Sequence, residues 1–403
     1  MSSFTDELIH RLAGLREQHL FRELRQVDSA QGPQIEISDQ TFLNFSSNDY
    51  LGLANHPALK AAAIKALETF GAGAGASRLV CGSLAPFHEL EAALADFKKT
   101  EAALTFSTGY AAALGTIPAL IGKDDVIILD KLVHACIVDA AKLSGAKLRV
   151  FDHNDLNDLE TILKWSSSRP RTLSQSPRTL IVTESIFSMD GDCAPLREIV
   201  ALKEKYGAWL MVDEAHATGI IGQNGRGLAD ELGVSDQIEI QMGTLGKALG
   251  ASGGYIGGSR ALIDFLVNRA RSFIFSTAPM PSSAAAAMAA INIVQSVEGE
   301  QLRSQAWHLA NLLEHSVAAS GGTITAPESL IMPMIIGDEA KAMELAAKLR
   351  AQNIFVPAIR YPTVARGAAR LRITLTAGHS ATDVAKLGAA LAVTQLAAPI
   401  NPP

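Results

Sequence analysis

A carboxylate, an imidazole and an amine follow two apolar runs in the middle of this sequence. Residues 208–212 lead into Asp213, with His216 three positions on, and residues 238–242 lead into Thr244 and then Lys247. Open α/β sheets present their chemistry at the carboxyl ends of buried strands. The pattern therefore places an acid and a lysine at two such ends. An acid that balances a protonated pyridine nitrogen and a lysine that forms a Schiff base are the pair that pyridoxal phosphate requires.

Other chemistries compete for the same residues. Asp213-Glu214-Ala215-His216 also spells the DEAH box of helicase ATPases. That reading needs an upstream G-x-x-x-x-G-K-[ST] loop. The nearest string, from Gly243 to Ala248, has the wrong glycine spacing, lacks a hydroxyl after Lys247 and lies downstream. A metal site built from Asp213, Glu214 and His216 lacks a ligand-spacing signature. Taken alone, the pair fits equally well a helix-capping Asp213 and a solvated Lys247.

Composition narrows the classes. The chain has 403 residues, 48% hydrophobic and 19% charged, enough for a large core and a second domain. Its 35 basic and 41 acidic residues give a net charge of −6, and no basic block offers a nucleic-acid surface. Cys81, Cys136 and Cys193 are scattered and odd in number, and read as buried thiols of a reducing compartment. No apolar run approaches a membrane span, and the acids Asp6 and Glu7 argue against a secretory or transit signal. The cytoplasm is the expected location.

The elements that must position these residues follow from periodicity. A helix is predicted over 6–25 with Thr5 as N-cap, then an alternating hairpin over 34–45 and a helix over 56–70. The glycine-rich stretch from Gly71 to Arg78 resembles a dinucleotide loop but follows a helix rather than a strand, so that reading is rejected. Strands are predicted at 102–106, 126–129, 147–151, 179–183, 208–212 and 238–242, alternating with helices at 155–165 and 196–206. Ser107, Thr108, Gly109 and Tyr110 open a helix after the first of these strands and make an anion site suited to a phosphate. His134 falls just past another strand end, where its ring could stack on a flat cofactor. Residues 166–178 read as an exposed, mobile loop. Further on, 253–257 is a strand or turn, 260–271 a helix, residues 284–291 part of an alanine-rich helix, and 300–320 a helix. Segments 323–336, 339–352, 355–360 and 370–376 read strand, helix, strand, strand, before a last helix from Ala381. The expected fold is α/β: a large domain with a mostly parallel sheet flanked by helices, plus a small α+β C-terminal domain. The expected divisions are an N-terminal helix and hairpin segment over 1–45, a large domain over 46–290 and a small domain over 291–403.

Seven motifs in order resemble one family. They are Asn48-Asp49-Tyr50-Leu51-Gly52, Ser107-Thr108-Gly109-Tyr110, Asp130 to His134, Glu184 to Asp192, Asp213 to Gly219, Thr244 to Lys247 and Val356-Pro357-Ala358-Ile359-Arg360. Together they look like the α-oxoamine synthases, pyridoxal-phosphate enzymes of the aspartate-aminotransferase fold type. The likeness runs from about Asn44 to His379. Ser77-Arg78-Leu79-Val80 and residues 356–379 look most like the branch that condenses L-alanine with a pimeloyl thioester, carried on CoA or a carrier protein. Sibling branches make aminolevulinate, 2-amino-3-oxobutyrate or a sphingoid ketone, and some relatives are non-catalytic partner subunits.

The resemblance implies a set of roles. Lys247 is the Schiff-base lysine, Asp213 the pyridinium partner, and His134 the stacking ring, with His216 near the phenolic oxygen. Thr108, Gly109, Tyr110 and Thr244 lie near the phosphate, and Glu184 and Ser188 complete the cofactor pocket. Ser276 and Thr277 reach the phosphate of the other subunit, which implies a homodimer with shared sites. Arg360 matches a substrate-carboxylate arginine, with Asn48, Arg22 and Arg372 as further substrate contacts. Phe87 stands where the family often has histidine, with His88 beside it, which leaves packing near Glu91 open. Ala217 replaces a smaller or polar residue, and the 166–178 loop is long for the family.

Overall fold

The computed structural model describes residues 3–18, 20–169, 177–319, 324 and 326–395. In chain order its strands are β1 (Gln34–Ile37), β2 (Gln40–Asn44), β3 (Ala102–Phe106), β4 (Val126–Asp130), β5 (Lys147–Phe151), β6 (Thr179–Glu184), β7 (Trp209–Asp213), β8 (Ile240–Thr244), β9 (Gly254–Gly258), β10 (Ile331–Gly337), β11 (Ile354–Phe355), β12 (Ala358–Ile359) and β13 (Ala369–Thr374). Contacts divide the described residues into two compact units. One takes residues 48–188 and 192–304, the other those of 1–47, 189–191 and 305–403.

The larger unit is built on a seven-stranded sheet of order β3-β9-β8-β7-β6-β4-β5. Strands β8, β7, β6, β4 and β5 run parallel, while β9 is antiparallel to both neighbours. Every residue of β3, β4 and β9 is buried, as a strand covered on both faces requires. Helices Ala135–Ser144, Leu156–Ser167 and Leu196–Tyr206 make the successive crossovers between parallel strands. Strand β9 passes so near the start of helix Gly109–Leu120 that a Cβ at Gly254 would lie 2.5 Å from the Gly109 nitrogen. Glycine there lets the helix start sit against the sheet.

The smaller unit holds an antiparallel sheet of order β10-β13-β12 and a second sheet in which β11 pairs in parallel with β2 of the N-terminal hairpin. The helix Glu339–Ala351 packs against β10, β12 and β13.

Several local expectations change. The first helix is Phe4–Glu17, not 6–25, and its cap is Ser3, which exchanges hydrogen bonds with Asp6 in a capping box. Residues 20–25 therefore lie beyond it. The expected strand 355–360 splits around Pro357, which has no N–H to give to a ladder: Phe355 joins β2, and Ala358–Ile359 joins β13. The helix over 260–271 breaks at Ala270, whose backbone is extended, into Arg260–Arg269 and Arg271–Ile274. Ser166 and Ser167 belong to the preceding helix, and 170–176 of the expected loop lie outside the described residues, as does Thr323. Cys81 is exposed, contrary to expectation; Cys136 is buried and Cys193 half-buried, and all three are free. Among the described residues no helix is long and apolar enough to cross a membrane, and no group of His, Cys, Asp or Glu could hold a metal ion.

Candidate active site

Register brings the acids together. Strands β6 and β7 pair Glu184 with Asp213, and β7 and β8 pair Asp213 with Met242, two residues before Thr244. Both carboxylates are buried at carboxyl ends of the sheet. Asp213 accepts the Ala215 N–H at 2.9 Å, and Glu184 accepts the His134 N–H at 2.5 Å. Burial pushes both carboxyls above their ordinary range. The charge of Asp213 raises Glu184 further, whereas Lys247 pulls both down and His134 pulls Asp213 down. The site thus concentrates negative charge that a cation can relieve.

Lys247 lies in the loop after β8, half-buried, with Nζ 2.7 Å from His216 Nε2. The other nitrogen of that buried ring, Nδ1, stands 2.5 Å from the Tyr50 hydroxyl. Tyr50 is itself buried, so a tyrosine, a histidine and the lysine amine form one hydrogen-bonded chain. The turn that carries His216 is held from below by Glu214, fully buried, which pairs with Lys98 at 2.5 Å and accepts the Ala229 N–H at 2.9 Å. A Cβ at Gly227 would lie 2.5 Å from the Glu214 carboxylate, and the backbone there has φ +122°, so glycine is required twice over.

His134 begins the helix Ala135–Ser144, its Nδ1 taking the Cys136 N–H at 3.3 Å. His134 is exposed as a residue, yet partial withdrawal of its imidazole from water lowers its pKa. Thr108 caps the helix Gly109–Leu120 by accepting the Ala111 N–H at 2.9 Å. The side chain of Thr244 lies within 4.0 Å of where a Gly109 Cβ would be, and its hydroxyl takes the Gly246 N–H at 3.2 Å. Hydroxyls from two elements thus meet at one exposed helix start. Tyr110 is exposed and donates its hydroxyl to Asp139. Ser188 is buried in the turn after β6.

The remaining expected residues have surroundings of their own. Asn48 is half-buried, its side chain 3.5 Å from the Tyr50 hydroxyl. Ser276 and the exposed Thr277 sit in a surface segment where Thr277 bridges to Ser77. In the smaller unit Arg22 donates to Thr363 at 3.2 Å, and Arg360 has its pKa lowered by burial and by the charge of Arg22. Arg372 is buried on β13 and donates to Thr374 at 2.9 Å. Phe87 is buried under the Arg78 guanidinium, which forms a bidentate pair with Glu91, while His88 bonds Ser83. That arrangement answers how the region packs without a histidine at position 87.

A mixed sheet with paired acids at its strand ends and a lysine loop beside them defines a class. The aminotransferase class I and II family matches residues 40–391, and this chain belongs to it. Among its relatives is the 8-amino-7-oxononanoate synthase of Geobacter sulfurreducens, 46% identical over 388 residues, which span 96% of this chain and 97% of that one. The crystal structure of 8-amino-7-oxononanoate synthase from Francisella tularensis matches with a TM-score of 0.74 and 26% identity over 88% of this chain and 98% of that one. A lysine-to-alanine variant of the S. paucimobilis serine palmitoyltransferase with a bound PLP–myriocin aldimine matches with a TM-score of 0.90 and 30% identity, over 97% of each chain.

Proposed function

We propose that this chain is a pyridoxal-phosphate-dependent 8-amino-7-oxononanoate synthase, condensing L-alanine with a pimeloyl thioester of CoA or a carrier protein. Near full-length identity of 46% to a relative of that name supports the reaction. The observation that carries the site is the half-buried Lys247 amine, 2.7 Å from His216, beside buried Asp213.

The donor set fits pyridoxal phosphate. Asp213, buried and pushed up in pKa by that burial, would gain a direct countercharge from a ring N–H. The helix start at Gly109, with Thr108 and Thr244, would take the phosphate through free N–H groups and hydroxyls. His134, an exposed residue, would offer its ring; Glu184 and Ser188 would complete the pocket. Tyr110 would contribute its backbone, because its hydroxyl is engaged by Asp139. When bound, the cofactor supplies an electron-withdrawing ring that stabilises negative charge at the amino acid's Cα.

The chain's own residues do the rest. Lys247 would hold the cofactor, and its amine would take the Cα proton of alanine; a fixed position contributes much of its power. His216 fixes that amine by their hydrogen bond. Asp213 keeps a fixed negative charge where positive charge must be held. Arg360 would hold a substrate carboxylate through two parallel bonds, with Asn48, Arg22 and Arg372 as further contacts. Overall, the alanine Cα–H and C–COO⁻ bonds and the thioester C–S bond break, a C–C bond and a new Cα–H bond form, and CO2 and the carrier thiol leave. Ser276 and Thr277, on the surface, would serve a second copy of the chain in a homodimer. The scattered cysteines would suit such a dimer to a reducing compartment, the cytoplasm.

Borohydride reduction followed by peptide mass mapping should find pyridoxyl on Lys247. Thiol release should be fastest with L-alanine and pimeloyl-CoA against glycine or serine and acetyl-, succinyl- or palmitoyl-CoA. A label on another lysine overturns the site; preference for another pair overturns the substrates. Mixing Lys247→Ala and Thr277→Ala subunits should restore activity, and no recovery after verified exchange refutes shared sites.

A further inference from the structure

Two turns carry the expected ring contacts, one from Asp130 to His134 and one from Glu184 to Ser188, and a third element lies between them. His153 and Asn154 follow β5, the edge strand that pairs with β4. His153 Nδ1 is 3.0 Å from an oxygen of Asp130, which is wholly buried. His153 Nε2 is 2.7 Å from an oxygen of Asp192. Both imidazole nitrogens therefore face carboxylates within hydrogen-bond distance. A neutral imidazole has one N–H, so its lone pair would confront one of the two anions; only an imidazolium satisfies both.

The Asn154 amide nitrogen also lies 3.4 Å from His153 Nε2, farther than the Asp192 oxygen. The same Asp130 oxygen takes the Leu132 N–H at 2.8 Å, and its other oxygen takes the Asn154 N–H at 2.9 Å. Asn154, with φ +56°, turns its amide onto the Asp192 oxygen at 3.0 Å and the Cys193 carbonyl at 3.2 Å. The second Asp192 oxygen is buried without a hydrogen-bond partner among the described residues. Phe187 sets its ring edge-on to His153 at 4.4 Å, and its N–H donates to the Asp192 carbonyl at 3.1 Å. The Asp130 carboxylate thus also fixes the turn into His134, and Asp192 holds the turn out of Glu184 and Ser188 through its main-chain carbonyl while its carboxylate holds His153. Nearby Lys131 pairs with Asp152, and among the described residues no other cation forms an ion pair with Asp130 or Asp192.

We propose that His153 is a positioning residue, doubly protonated in the working enzyme, that ties the His134 turn to the Glu184–Ser188 turn and so fixes the ring contacts of the site. It deepens the pyridoxal-phosphate reading and rests on it for the identity of what is positioned. Its pKa agrees: burial opposes the charge, but the bonds to Asp130 and Asp192 raise it to about 10.

The test uses the holoenzyme. Nitrogen-15 spectra of histidine-labelled protein at pH 8, assigned by difference from His153→Gln, should show both His153 nitrogens protonated; a neutral tautomer overturns the proposal. In His153→Gln and in the milder Asp192→Asn, the induced circular dichroism of the bound cofactor should change, with kcat down about tenfold and KM for alanine within twofold. An unchanged cofactor signal with kcat within twofold in both folded variants overturns it. Wild-type protein without that signal would count against the cofactor reading, and the nitrogen spectra would still decide the imidazolium.

Discussion

Lys247 Nζ and His216 Nε2 stand 2.7 Å apart, and the far side of the same imidazole touches the Tyr50 hydroxyl. The amine's direction is therefore set by a ring that is itself fixed at its other end. Tyr50→Phe removes the buried hydrogen bond to His216, with the longer one to Asn48, and leaves the ring's packing, a change worth about 0.5–1.5 kcal/mol per bond. If His216 must point at the amine during the reaction, kcat falls roughly threefold to tenfold while cofactor content stays complete. Steady-state kinetics beside absorbance of the bound cofactor measure both. A kcat equal to wild type would show that Tyr50 only fills space.

Asp213 carries the largest expected effect. Asp213→Asn keeps the shape and the Ala215 hydrogen bond but removes the charge. Losing one oriented charge contact in a dry site costs about 3 kcal/mol of barrier, or more than 10²-fold in kcat. Stopped-flow rates of Cα proton exchange from deuterated alanine report this directly. Exchange at the wild-type rate would reduce Asp213 to a capping residue.

The strands and the strand-end residues were legible because apolar runs, acids and glycine punctuation fall in sequence order. Asp213 and Glu184 become neighbours through register, which a local pattern does not contain. Tyr50 was visible only as part of a turn motif, since its partner His216 lies 166 positions away. The same holds for Lys98 and Glu214, whose pairing depends on how Ala85–Lys98, a helix not anticipated from the sequence, packs beside the sheet. His153 could have been flagged by its place just past a strand end, the same signal that singled out His134. The N-terminal helix was overextended because Phe21 and Leu24 continue its apolar period, although Leu24 is fully exposed. Periodicity records apolar residues, and solvent exposure does not register in it.

Stability should respond to pH through His153. Its folded-state pKa of about 10 lies above the ordinary value near 6.5. A raised pKa means the folded state holds the proton more tightly, so this contribution is complete below about pH 6.5 and fades as pH rises through about 10. Urea midpoints of wild type and His153→Gln should therefore converge between those limits. A constant gap from pH 6 to pH 10 would contradict a charged His153.

Lys98 and Glu214 make the last case, because their burial decides its size. Their side chains are 3% and 0% exposed, and they lie directly behind the turn from Asp213 to His216. Burial alone would lower the Lys98 pKa, yet the charge and hydrogen bond of Glu214, with Tyr255 and Asp230, together reverse that, so the lysine stays charged at any ordinary assay pH. Replacing a buried pair with apolar groups is often neutral, whereas breaking it strands one charge and costs about 3–5 kcal/mol. Lys98→Met leaves the Glu214 carboxylate stranded and should lower the urea midpoint by that amount divided by the unfolding slope. Lys98→Met with Glu214→Leu should recover part of the loss, though not all, because Glu214 also accepts the Ala229 N–H. Activity tests the link to the site: the single variant displaces the His216 turn and lowers kcat more than it raises KM. A single variant within 1 kcal/mol of wild type, read from the same urea curves, would mean water already reaches the pair, and the strut beneath Asp213 would have to be sought elsewhere.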